Sequence, residues 1–174
     1  MTKMISGVLA VSLLALSAAG ETGHSSNGPV SHRPRLYGTV GGPLPAGFGA
    51  QTGDPVTFSL DADGDPVRTS GTFSAHHVSH VDGHVLADFG GDITCLMTAG
   101  EVATATGVIT HGHATLPGRG WSDVTGEEVS FTVHDDGHHD RMYWMWGFYG
   151  APINECQGLA PAFQPSHGDL HVRD

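Results

Sequence analysis

Glycine or proline stands at 36 of the 174 positions, 26 Gly and 10 Pro, and that density decides most of what the chain can fold into. In a helix interior Gly costs about 1 kcal/mol and Pro about 3 kcal/mol relative to Ala. After the first twenty residues no stretch carries apolar side chains at i, i+3 and i+4, the helical spacing. What remains between the breakers is short apolar alternation with period two, the pattern of strands with one buried face. The length fits one domain. The expected fold is therefore all-β, a single domain of about seven to eight antiparallel strands closed as a sandwich or a small barrel.

The alternation is clearest where the strands are placed. In Pro55 to Leu60, Val56, Phe58 and Leu60 alternate with Thr57 and Ser59. Thr69 to His76 is a second strand. Val85 to Phe89 and Asp92 to Thr98 are a third and fourth, or one long strand bent at Gly90-Gly91. Glu101 to His111 returns after an Ala99-Gly100 turn. Glu128 to His134 puts Val129, Phe131 and Val133 on one face, and Asp169 to Val172 is a last short strand. Arg141 to Tyr149 is apolar on both faces, with Met142, Trp144, Trp146 and Phe148 against Tyr143, Met145 and Tyr149. Its expected place is a central strand between two layers, with Trp146 in the core.

The N-terminus reads differently. Lys3, the apolar run Met4 to Ala19 and the small residues Ser17, Ala18 and Ala19 have the layout of a secretory signal peptide. The run is short for a bilayer span, and the alternative is an N-terminal membrane anchor. The assignment is residues 1–19 as signal peptide, 20–53 as a flexible Gly/Pro-rich arm, and 54–174 as the β domain. The arm carries 9 Gly and 4 Pro in 34 residues, with strand-like character only from Arg35 to Val40. Cleavage implies a secreted, extracellular protein with no membrane attachment.

Charge narrows the partners. The whole chain carries 7 Lys plus Arg against 18 Asp plus Glu, a formal net charge of -11, and Lys3 is its one lysine. Without the signal, 6 Arg face the 18 acids and the net charge is -12. A surface this acidic does not suit nucleic acid or anionic lipid. With no lysine left in the mature chain, Schiff-base, pyridoxal-phosphate and P-loop chemistry have no amine to use.

Two cysteines, Cys95 and Cys156, read as one disulfide in an exported chain, with two buried thiols or one reactive Cys as the alternatives. Nine of the 13 histidines cluster as His76, His77, His80 and His84, as His111 and His113, and as His134, His138 and His139. His111 and His113 share one side of a strand, so an H-x-H pair with help from a neighbouring strand or from His138 and His139 is a candidate Zn or Cu site. No cofactor is required by any motif. Asp61, Asp63 and Asp65 around Gly64 have the wrong spacing for an EF-hand and read as a polar turn. The run His134 to Arg141 holds carboxylates and imidazoles, and could serve as an acid–base pair, a metal shell or a hairpin connection. The hairpin reading is preferred.

The stretches Asp54-Pro55-Val56-Thr57-Phe58, Cys95-Leu96-Met97-Thr98, Ala103 through Thr110, and Val129 through Val133 with His139-Asp140-Arg141 and Trp146 together resemble a family of small secreted actinobacterial proteins labelled "repetin". The resemblance implies export, a compact β domain and Cys pairing, and brings no catalytic residues. Three functions follow as expectations. The first is a secreted, non-enzymatic β domain that binds a ligand or a surface. The second is a hydrolase or isomerase using His and Asp in a barrel mouth. The third is an extracellular Zn- or Cu-binding protein.

Overall fold

The computed structural model describes residues 33–137 and 139–174. The expected signal peptide and residues 20–32 of the expected arm lie outside them. The fold is all-β, as the alternation predicts, with nine strands: β1 Arg35–Pro43, β2 Pro55–Asp65, β3 Arg68–Val78, β4 Val85–Ala99, β5 Val102–Leu116, β6 Gly120–Asp123, β7 Glu128–His134, β8 Arg141–Trp146 and β9 His167–Arg173. They form one antiparallel sheet in the order β8-β7-β5-β4-β3-β2-β1-β9, with β6 added beside β5. The sheet is a single layer curled into a half-barrel. Among the described residues no helix is long and apolar enough to cross a membrane.

The curl follows from where side chains are missing. β4 is one long strand whose register shifts between Gly90 and Gly91. A Cβ on Gly91 would lie 2.1 Å from the Val108 carbonyl oxygen, so the residue holding β4 this close to β5 must lack a side chain. Inside the curl, Phe58 of β2 meets Trp144 of β8 with ring centroids 4.5 Å apart, and Phe73 of β3 meets Phe131 of β7 at 5.3 Å. These contacts join strands far apart in the sheet order and make one core.

The boundary expected at residue 54 falls inside this fold. β1 lies between β2 and β9, and Leu36 and Val40 are fully buried. The glycines that suggest a mobile arm are instead close-packing positions. Gly38 has φ +135°, and a Cβ there would stand 2.1 Å from the Asp169 carbonyl oxygen of β9.

β7 and β8 exchange the roles expected for them. β8 stands at the end of the sheet, where its edge is bridged by Phe163 through Met142 N–H to Phe163 O at 2.9 Å and Phe163 N–H to Met142 O at 2.8 Å. β7 is the strand covered on both faces, because the loop between residues 150 and 166 crosses its outer side. There Ser130 Oγ donates to the Gln157 carbonyl at 2.5 Å, and the Cys156 N–H donates to Thr106 Oγ1 of β5 at 3.2 Å. The Cys95–Cys156 disulfide, with Cα atoms 5.4 Å apart, fastens this loop to β4. Non-reduced protein should weigh two hydrogens less than reduced protein by intact mass spectrometry, and equal masses would mean two free thiols.

Candidate functional site

An aromatic-walled pocket opens between β2, β3, β4 and β8. Val56, Phe58, Phe89, Trp144, Trp146 and Phe148 form its walls, and Leu44, Phe48 and Tyr149 close its rim. The aromatic rows meet edge to face, Phe89 against Trp146 at 5.0 Å and Phe89 against Phe148 at 5.7 Å, the arrangement ring quadrupoles favour. Its interior space is about 100 Å³, below the roughly 150 Å³ of a dry cavity that takes a benzene. The pocket as built therefore admits the end of a molecule.

Gln51, His76, His77 and Thr115 also line it, and of these His77 is held by a buried carboxylate. Strand alternation puts His77 on the inner face of β3 with Phe73 and Ala75. Its Nε2 lies 2.9 Å from Asp54 Oδ2, and Asp54, in the loop leading into β2, is 2% exposed. The other carboxylate oxygen takes the backbone N–H of His80 at 2.9 Å and the His80 ring Nδ1 at 2.5 Å. Burial pushes the Asp54 carboxyl upward, but the His80 backbone and ring donors, followed by His77, outweigh it and hold the group below its ordinary range. With Nε2 donating to the carboxylate, a neutral His77 keeps Nδ1 as an acceptor. The arrangement can bind a hydroxyl or amine, or accept a proton from one.

The expected metal ligands do not converge. His111 and His113 are both exposed on the outer face of β5, as the H-x-H spacing predicts. His111 Nδ1 lies 3.1 Å from Thr110 Oγ1, and the His113 ring stacks on Trp121 at 5.6 Å. His139 belongs to the β7–β8 turn, where its N–H donates to Asp136 Oδ1, and His138 lies outside the described residues. His134 of that hairpin pairs with Val102, eleven residues along β5 from His113, which at about 3.4 Å per residue is roughly 37 Å of strand. Among the described residues no group of three or more His, Cys, Asp or Glu is placed to hold a metal ion.

The two carboxylate runs are structural. Asp65 Oδ1 accepts the N–H groups of Val67 and Arg68, both at 3.0 Å, while Asp61 pairs with Arg35 at 3.1 Å and Asp63 accepts from Ser70 at 2.9 Å. In the β7–β8 turn Asp135 takes the Gly137 N–H at 3.1 Å. This turn also reaches β9, which the sequence does not suggest: Asp140 Oδ2 accepts the Leu170 N–H at 2.8 Å and Asp135 Oδ2 the Val172 N–H at 2.9 Å. Two carboxylates thus occupy the edge of β9 where a further strand would pair.

Comparison of the chain with protein-family models, with curated proteins and with solved structures finds no match.

Proposed function

We propose that this is a secreted β domain that binds the apolar end of a small amphiphilic molecule in the aromatic pocket, with His77 taking its polar group. The observation that carries the reading is the pocket itself: a concave, aromatic-walled space with a few polar side chains, His77 among them, is the usual form of a small-molecule site. The signal-like N-terminus and the disulfide support export, as does the resemblance to the secreted repetin-labelled proteins. Titration with phenol and benzyl alcohol, followed by tryptophan emission, should give a saturable change with millimolar affinity or better. Ala87→Leu, which fills the pocket from β4, should abolish it while leaving the thermal midpoint nearly unchanged. No change in the wild-type protein up to about 10 mM probe would rule the reading out.

A second reading rests on the Asp54–His77 contact. A carboxylate that fixes the tautomer of an imidazole beside an apolar pocket is the geometry of a general base, and would make the protein a hydrolase or isomerase. Solvent-deuterium uptake into a bound carbonyl compound, lost in His77→Gln, would support it over simple binding.

A further inference from the structure

The two ends of the sheet are finished differently. Along β9 the Leu170 and Val172 N–H groups are taken by Asp140 and Asp135, so that edge offers an incoming chain little to pair with. β8 is bridged at one residue. Met142 exchanges both main-chain bonds with Phe163 in an antiparallel bridge, so its N–H and C=O point away from β7. Antiparallel pairing alternates along a strand, and β8 runs beside β7 without a register shift. Trp144 and Trp146 therefore present their N–H and C=O on the same open side, and among the described residues no other group bonds to them there. The bridge stops because Pro161, the residue that would face Trp144, has no N–H to give. By Gln157 the chain already lies over Ser130 of β7.

Beside this open stretch lies a groove of about 360 Å³ bordered by Phe48, Tyr143, Met145, Tyr149 and Leu159. It shares Phe48, Gln51, Trp144, Trp146 and Tyr149 with the aromatic pocket. Pocket and groove thus form one continuous surface, an aromatic end that admits part of a molecule and a groove along an unpaired strand edge. We propose, resting on the reading of the pocket as a binding site, that its amphiphile is a short extended peptide. The peptide adds antiparallel to β8 at Trp144 and Trp146 and sends one apolar side chain into the aromatic pocket. The chain's own Phe163 shows the mode. It pairs with Met142 through its backbone while its buried ring packs edge-on against Trp144, centroids 5.3 Å apart. Residues of an added strand that face Trp144 and Trp146 lie on the same side of the sheet as those rings, so side chains two apart continue the row begun by Phe163 towards the pocket. A lipid-like amphiphile fills the aromatic end equally well but leaves the β8 main-chain groups unanswered. A peptide answers them with its own N–H and C=O.

The test uses the full chain and the capped peptide acetyl-Arg-Thr-Phe-Thr-Phe-Thr-Arg-amide, whose basic ends suit an acidic protein. Two further copies are N-methylated, one at both Phe, whose N–H groups would face β8, and one at the first two Thr, whose N–H groups would face away. Tryptophan emission should saturate at millimolar affinity or better with the plain peptide and with the Thr-methylated copy. The Phe-methylated copy keeps both rings and should bind at least about tenfold more weakly. Amide exchange at Trp144 and Trp146, followed by NMR, should slow about tenfold or more at saturation with the plain peptide. Binding of phenol without binding of the peptide, or equal binding of the two methylated copies, would overturn the proposal and leave the pocket a small-molecule site. Binding of neither phenol nor peptide would remove the pocket reading together with it. A protein that is dimeric by light scattering, with both tryptophan amides protected before any peptide is added, would overturn it in favour of a second copy on the same edge.

Discussion

Replacing Phe131 by Ala should cost about 3–5 kcal/mol of folding free energy, because the ring is fully buried and packs against three other rings. Phe131 sits on β7 where the two arms of the curl meet. Its ring lies 5.3 Å from Phe73, 5.7 Å from Trp146 and 6.4 Å from Phe58, so its loss removes contacts to β3, β8 and β2 at once. Trp146→Ala should cost less in stability. That side chain is half-buried and forms the pocket wall, so its truncation should instead weaken probe binding. Urea unfolding of both variants checks the pair through the midpoint at constant m. A loss under about 1 kcal/mol at Phe131 would mean that the core does not converge there.

The strands were readable in the sequence because each is a local pattern. Val56, Phe58 and Leu60, or Val129, Phe131 and Val133, declare their buried face within a few residues. Closure is not local. Whether β8 is central or terminal depends on how strongly the sheet curls, and that is governed by Gly91, Gly107 and their contacts to neighbouring backbone. A double-faced apolar segment reads as a central strand, but β8 reaches the same apolar character by lining a pocket with one face and carrying half-exposed Tyr143 and Met145 on the other. The misread arm has the same origin. A glycine needed for close approach to β9 and a glycine in a loose tail look identical until the partner strand is known.

The candidate site was partly legible. The alternation of Phe73, Ala75 and His77 places one imidazole of the His76 to His84 cluster on an apolar face, a signal that sets it apart from its neighbours. By contrast His76 is exposed beside Asp88 at 3.8 Å, and His84 pairs with Asp82 in an exposed turn at 2.9 Å. Asp54 could not be found this way. It lies in a loop, and its partners are 23 and 26 residues away in sequence. The H-x-H rule did place His111 and His113 on one face; it could not show that the hairpin holding His139 turns at the opposite end of β5. The contact of Asp140 with β9 is less legible still, since it depends on β9 returning across the whole chain to lie beside β1.

Asp54→Ala should be the second costly change, about 2–4 kcal/mol, because it leaves the His80 backbone N–H and two imidazoles without their acceptor. Its pH dependence has a definite sign. Hydrogen bonds hold the folded carboxyl below its ordinary value near 3.8, so the folded state favours the ionised form more than the unfolded chain does. The resulting stability is fully present above about pH 4, where the unfolded carboxyl is ionised, and is lost as pH falls through the folded value. Denaturant titrations from pH 7 to pH 3 should therefore bring the wild type and Asp54→Ala closer together at the acid end. Asp54→Asn keeps one oxygen but offers N–H where the other was. It should rescue part of the loss while removing the same acid limb. Parallel curves for wild type and Asp54→Ala across that range would show that the carboxylate is not the acceptor that fixes the β3–β4 turn. The His77 tautomer, and with it the acid–base reading of the pocket, would then lose its support.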